Sequence, residues 1–589
     1  MSKEINDIED EENIKNELLD KNNEELGPLS KNKLILLYSL TIGGMLLIVV
    51  LVFIISLYLG KSDDNNKEPK DNDKGNESDN NNDNINIVWN REMNSILAIY
   101  NQENNYTEIN IINPNYINII NSMIIDGNET ITDINETYLF NTTRKHYIIF
   151  KLKENLETME KMFINCSKLL EIDLSLVETK NVVSMSDLFY QCKLLTKVNL
   201  TNLNTEKVIN MSSLFYGCSS LKIIYKDSLD TSNVMDMSYM FSRCGSLTSL
   251  DISDFNTKNV KTMKNMFSNC DYLTSINFGN NFNTIEAEDI SGLFSFCLNL
   301  KNINLNIFDT SKVTNISGLF HNCISLTSID LSKFTTTNIK DMSYLFFGCA
   351  GLTSLSLNNF DTSNVEDMKY MFTGAKNLNL LSLDNINTKN VKNMQFMFSE
   401  CMSLKSIDLS NFDTSQVTLM TGMFDYCLSL TSLDLSKFNT EKVVDMSFMF
   451  ASSNKLITID LSNFNTENVL KMNNMFYGCY SLKNINLKNF NTDNVTDISG
   501  MFTKCKSLTN LDLNNFKTDN VERMYDIFDS CQNLEYLDIS NFNTDKIDNK
   551  SRLFYDIKEN GTIYYNSKIF DECFFANNSL QTWKKHKVD

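Results

Sequence analysis

From Cys166 to Ile557 the apolar and polar positions of this chain recur every 26 residues, and the stretch Cys401 to Tyr426, CMSLKSIDLSNFDTSQVTLMTGMFDY, serves as the register. Counting Cys401 as position 1, the apolar frame is Leu404, Ile407, Leu409, Phe412, Val417, Met420, Met423 and Phe424, at positions 4, 7, 9, 12, 17, 20, 23 and 24. Fifteen copies follow one another without a break, stretched once to 27 residues between Cys270 and Cys297. A period of this size marks a solenoid or an array, and no element can be assigned singly before it is recognised.

Within one repeat, Ile407, Asp408 and Leu409 alternate as a short half-buried strand does, with Asp408 and Ser410 pointing outward. Val417, Met420, Met423, Phe424 and Cys427 then recur at helical spacing and predict one short helix, partly 3₁₀, with a single buried stripe. A lone repeat buries neither its strand nor its stripe, so the core exists only where neighbours stack. The fold class expected is therefore an α/β repeat. It is a leucine-rich-repeat-like solenoid of about fifteen rungs, each a strand, a loop and a short helix, with one continuous parallel sheet. At a strand spacing of ~4.8 Å the stack is roughly 70 Å long.

The flanks read differently. Residues 1–33 are polar and acidic and predict a disordered cytoplasmic tail. Residues 34–59, LILLYSLTIGGMLLIVVLVFIISLYL, carry no charge and are long enough for one transmembrane helix, too long for a cleavable leader. Residues 60–85 are almost devoid of apolar side chains and predict a flexible stalk. Residues 86–165 turn to β-type alternation, a small N-terminal β cap for the open end of the sheet, followed by the solenoid at 166–557. Residues 558–589 form a C-terminal cap with Trp583 as its lid. Lysines flank the span on both sides, so charge does not orient it. Long domains translocate largely regardless of charge, and Asn105, Asn128, Asn135 and Asn141 open clustered N-x-S/T triplets. The expectation is a single-pass plasma-membrane protein with its repeats extracellular.

Composition narrows the chemistry. A net charge of −21 excludes the basic stripe that nucleic acid requires. Thirteen cysteines fall at position 1, where Ala375 and Ser453 stand in the other two repeats. A place that accepts Cys, Ala or Ser selects for small size, so a buried reduced ladder is the reading, with cross-rung disulfides and a metal as alternatives. His146, His321 and His586 are isolated in sequence, and there is no H-E-x-x-H, G-x-S-x-G or Walker loop. No enzyme and no cofactor are expected. Threonine at position 14 (Thr179 to Thr544) and phenylalanine at position 24 (Phe189 to Phe554) occur in every repeat and so answer to rung geometry.

The recurrent M-F-x-x-C-x-x-L-x-x-L-D-L-S-x-F-x-T resembles the BspA-type leucine-rich-repeat surface proteins. It is closer still to the 26-residue surface repeat grouped from mycoplasma lipoproteins as a domain of unknown function. That resemblance covers roughly 156–589 and implies an extracellular solenoid for adhesion or recognition without enzymatic activity. It carries over no binding residues. The chain lacks the lipid-bearing cysteine of the lipoproteins, its first cysteine being Cys166, so the helix is the expected anchor.

Sites are sought where exposed positions line up. Position 8 carries Asp408, Asp434 and Asp460 in consecutive repeats, like charges on adjacent strands, and suggests a cation ladder or a polar partner-binding face. Tyr344, Phe347, Tyr370 and Phe396 cluster on the helix side of three consecutive repeats and suggest a contact surface. Two functional classes follow: a cell-surface protein that binds an extracellular protein or glycan, or a membrane-tethered cytosolic interaction scaffold.

Overall fold

The structure, a computed structural model, describes residues 94–103, 107–127, 129–227, 229–547, 552–566 and 578–588. The expected tail, transmembrane helix and stalk (1–33, 34–59 and 60–85) lie outside the described residues, as do Asn105 and Asn128. Among the described residues no helix is long and apolar enough to cross a membrane.

Among the described residues six strands precede the repeats: β1 (Ser95–Asn101), β2 (Ile109–Asn110), β3 (Ile120–Ile125), β4 (Glu129–Ile131), β5 (Thr137–Tyr138) and β6 (Lys145–Leu152). Strict alternation in β1 buries Ile96, Ala98 and Tyr100, and in β6 it buries Ile148 and Phe150. One edge of β1 pairs antiparallel with β6. Its other edge pairs antiparallel with β7 (Leu169–Leu176), the strand of the first repeat. From there β8 (Lys197–Asn199) and β9 (Ile223–Tyr225) continue in parallel, completing a sheet ordered β4-β3-β6-β1-β7-β8-β9.

Beyond β9 the chain is a parallel β-solenoid of about 15 turns, but its strand wall is not one continuous sheet. It falls into β10 (Ser249–Asp251) with β11 (Ser275–Asn277), β12 (Ser354–Ser356) with β13 (Leu380–Ser382), and β14 (Thr458–Ile459) with β15 (Asn484–Ile485). A last group follows, formed by β16 (Asn510–Asp512), β17 (Tyr536–Ile539), β18 (Thr562–Asn566) and β19 (Lys584–Val588). The interruption has a local cause. In each repeat position 4 turns back on position 1 (Leu404 N to Cys401 O, 3.2 Å) and position 12 on position 9 (Phe412 N to Leu409 O, 2.9 Å). Only about three residues between the two turns are left to extend, too few to hold an unbroken ladder.

The expected short helix does not form, and the repeat is all-β where α/β was anticipated: no α-helix occurs among the described residues. In all fifteen repeats the residues at positions 22 and 26 adopt positive φ, as Gly422 (60°) and Tyr426 (54°) do. Two left-handed residues four apart cannot lie in a right-handed helix. Instead the amides alternate between the next rung and their own. Met394, Phe396, Phe398 and Glu400 donate to Leu419, Thr421, Met423 and Asp425 of the next rung at 2.8–3.0 Å. Met397, Ser399 and Cys401 donate to Met394, Phe396 and Phe398 three residues back at 3.0–3.3 Å. A second parallel wall of stacked turns thus replaces a row of helices while keeping the same stripe inward. Position 19 bridges rung to rung from Ser184 to Arg523.

Between the two walls lies the core. The position-24 rings stack face to face from Phe163 to Phe554, with Phe398 and Phe424, for example, 5.6 Å apart and 10° from parallel. Truncating one such ring costs ~3–5 kcal/mol. At the far end β18 and β19 extend the sheet in parallel past the last repeat. Trp583 is buried there, its indole N–H donating to Lys558 O at 2.7 Å. A Cβ on Gly561 would stand 2.5 Å from the indole, so only glycine admits it.

Candidate functional site

The positions common to every repeat serve the stack itself. The Thr414 hydroxyl donates to Asn439 O and accepts from Asn439 N, both at 2.8 Å, clamping one rung to the next. The Cys427 thiol donates to Phe398 O at 3.2 Å, and Ser453 reproduces that bond to Phe424 O at 3.0 Å. Position 1 therefore wants a small side chain and uses a weak donor when it has one. All thirteen of these cysteines are free and buried. Burial pushes their thiols up, that of Cys270 to about 12, which leaves them inert at neutral pH.

On the strand wall Asp408, Asp434 and Asp460 are exposed in three successive rungs. Each carboxylate accepts the amide two residues on, from Ser410, Ser436 and Ser462, at 2.9 Å. These bonds hold the Asp408 and Asp460 carboxyls below the usual carboxylate value, against the opposing charge of Asp434. The loop turn thus fixes one oxygen of each aspartate in the same way. Among the described residues no group of three or more His, Cys, Asp or Glu is arranged to hold a metal.

The turn wall brings the aromatic set together. Tyr344 and Tyr370 stack at 4.9 Å and Tyr370 and Phe396 at 5.0 Å, while Phe347 packs 5.8 Å from Tyr344. The row continues through His321, 4.7 Å from both Phe347 and Phe296. Burial alone lowers the His321 imidazole to about 4, so it is neutral under ordinary conditions. Tyr344, Tyr370 and Phe396 occupy position 22, where the backbone is left-handed (φ 57°, 56° and 52°); most other repeats place Gly, Asn, Asp or Ser there, with Tyr239, Phe448 and Arg552 as further bulky exceptions. That conformation costs an aromatic residue ~1–2 kcal/mol, and each ring–ring contact returns ~0.5–1.5 kcal/mol. The rings pack largely on one another, with the Lys369 ammonium 5.9 Å from the Tyr344 ring, and the row is half-buried.

Two features escaped the reading of the sequence. Lys226 stands at position 9, where every other repeat has Leu, Ile or Phe, and it pairs with Asp254, each side chain 15 % exposed. Asp254 also accepts the Leu229 amide at 3.1 Å. The signal was available as a lone charge in an apolar column. Asp425, at position 25, has a buried Oδ1 without a hydrogen-bond partner, and burial followed by the Glu400 charge pushes its carboxyl up to about 7. Its signal was weaker, because position 25 varies freely between Tyr, Ser, Thr and others.

Two ladders of turns and short strands, with an exposed polar column and a half-buried aromatic one, define a leucine-rich-repeat-like solenoid of the BspA type. The chain belongs to the family described as "Mycoplasma protein of unknown function, DUF285", whose model matches residues 132–227, 195–302, 274–381, 353–458, 377–484 and 478–563. No curated protein matches it. Among solved structures it is similar to a leucine rich cell surface protein from Faecalibacterium prausnitzii A2-165, at 17 % identity over 75 % of this chain and 90 % of that one, TM-score 0.32. An LRR protein of Leptospira interrogans matches at 13 % identity over 57 % and 90 %, TM-score 0.20. The plant peptide hormone receptor RGFR1 in complex with RGF2 matches at 14 % over 67 % and 68 %, TM-score 0.17.

Proposed function

We propose that this chain is a cell-surface recognition protein, anchored by the apolar segment 34–59 with its solenoid outside, that binds an extracellular protein or glycan along the strand wall. The observation that carries the reading is the column Asp408, Asp434 and Asp460, whose carboxylates are exposed and oriented alike by the Ser410, Ser436 and Ser462 amides. Such a column offers the same hydrogen-bonding group at each rung spacing, so weak contacts add over several rungs without a deep pocket. A divalent cation recruited between two carboxylates and a ligand oxygen is part of the same proposal. The buried thiols do not argue for a cytosolic scaffold, because inert thiols survive either redox compartment.

Changing Asp408, Asp434 and Asp460 together to Asn keeps their size and loop turns, so folding is expected unchanged and partner binding on the cell surface weakened. Binding that is untouched by this change but abolished by Tyr344→Ser with Tyr370→Ser moves the site to the turn wall. Dependence on calcium, lost in the triple variant, supports the cation arm. External protease on intact cells is expected to digest the repeats, and protection of the repeats refutes the extracellular placement.

A further inference from the structure

The repeat that opens at Cys218 breaks the pattern on both sides of its strand. At positions 6 and 8, where the strand wall is otherwise mostly Ser, Asn and Asp, β9 exposes Ile223 and Tyr225, the latter half exposed (50 %). At position 9 it carries Lys226 in place of an apolar residue. The sheet is also interrupted here, since β9 pairs with β8 but not with β10. A cleft of about 480 Å³ opens at the break, with Phe215, Phe241 and Leu250 among its apolar walls. Lys226, Asp251 and Asp254 stand among its charged groups. On the other side of Tyr225 a smaller hollow of about 230 Å³ lies between Leu97 and Ile99 of β1 and the side chains of Asp173 and Lys197.

A buried ion pair at this place does not serve stability, because a well-packed apolar residue in the same volume is commonly neutral or better. Every other repeat uses that solution at position 9. The exposed Ile223 and Tyr225 are likewise unexplained by stacking, and they stand between two hollows that a single ligand can reach together. From β1 to β10 is four strand spacings, or ~19 Å, the length of about six extended residues. After the ion pair Lys226–Asp254, the charges that line the cleft are Asp227 and Asp251 against Lys222, an acidic rim on a chain of net charge −21.

We infer that β9 and the cleft beside it form an anchor site for an extended segment of a partner protein, one that presents a large apolar side chain flanked by basic residues. The apolar side chain enters the cleft between Phe215, Phe241 and Leu250, its neighbours pack on Ile223 and Tyr225, and the basic groups meet Asp227 and Asp251. The inference rests on the reading of the chain as an interaction protein and names the chemistry of the partner at a second place on the strand wall.

The test is fluorescence anisotropy with the full chain and three labelled peptides: one with a central phenylalanine between two arginines, one with glutamates for the arginines, and one with serine for the phenylalanine. The arginine–phenylalanine peptide is expected to bind at least tenfold more tightly than either control. Two variants restore the ordinary repeat, Lys226→Leu with Asp254→Asn, and Ile223→Ser with Tyr225→Asp. Both are expected to melt no lower than the wild type and to lose that preference, whereas Asp408→Asn with Asp434→Asn and Asp460→Asn keeps it. Equal binding of the three peptides, or a preference that survives both variants, overturns the inference. Neither result touches the broader reading, which the aspartate column and the cell-surface binding assay decide separately.

Discussion

Replacing Asp425 by Asn tests the packing of the turn wall at a buried carboxyl. An aspartate in water titrates near ~3.9. In the folded chain burial, and after it the Glu400 charge, raise the Asp425 carboxyl to about 7. The folded state therefore holds a proton that the unfolded state has released, over the window from about pH 4 to about pH 7. Stability falls as pH rises through that window and is level above it. A shift of about three units corresponds to ~4 kcal/mol, and the partial exposure of the group reduces this to ~2–3 kcal/mol at pH 8. Asn cannot ionise, so Asp425→Asn is expected to stabilise the surrounding rungs at pH 8, to change little near pH 4, and to flatten the slope between. A solenoid's stability is a sum of local terms, so the assay is amide exchange at Tyr426, whose N–H donates to Ala451 O at 2.8 Å, and at its neighbours in the adjoining rungs. Protection at Tyr426 is expected to rise at pH 8 in the variant. A variant that keeps the wild-type pH slope, or exchanges faster at pH 8, refutes the assignment of the strain to a buried charge.

Three further outcomes follow from the rung geometry. Thr414→Val keeps the shape but leaves Asn439 N and O without their 2.8 Å partners, and is expected to cost ~2–4 kcal/mol in denaturant unfolding. Cys427→Ser is expected to be within ~0.5 kcal/mol of wild type, as Ser453 makes the same bond, while Cys427→Leu overpacks by ~1–3 kcal/mol; maleimide should label the position-1 thiols only after unfolding. Gly422→Ala places a Cβ 2.2 Å from the Phe396 ring at a φ of 60°, and is expected to lower the melting temperature and displace Phe396 from its stack on Tyr370, seen as a change in near-ultraviolet dichroism.

What the sequence determined by itself was everything that repeats. The register, the inward column of Phe424 and its equivalents, the small residue at position 1 and the clamp at Thr414 each recur through the chain, because each rung must present the same surface to the next. The exposed column of Asp408, Asp434 and Asp460 and the half-buried one of Tyr344, Tyr370 and Phe396 were legible for the same reason, since equal positions in successive rungs end up stacked. Only the tertiary structure decided how the second wall is built. Val417, Met420, Met423 and Phe424 have helical spacing, and a stripe of that spacing is buried equally well by a helix or by two turns hinged at positions 22 and 26. The choice lay with hydrogen bonds to the neighbouring rung, such as Phe398 N to Met423 O at 3.0 Å, which compete with the i to i−4 bonds of a helix and are invisible within any local window. The break between β9 and β10 was decided in the same way: Lys226 could be read as an exception, but its partner Asp254 lies in the next rung, and only stacking brings the two charges together and opens the cleft beside them.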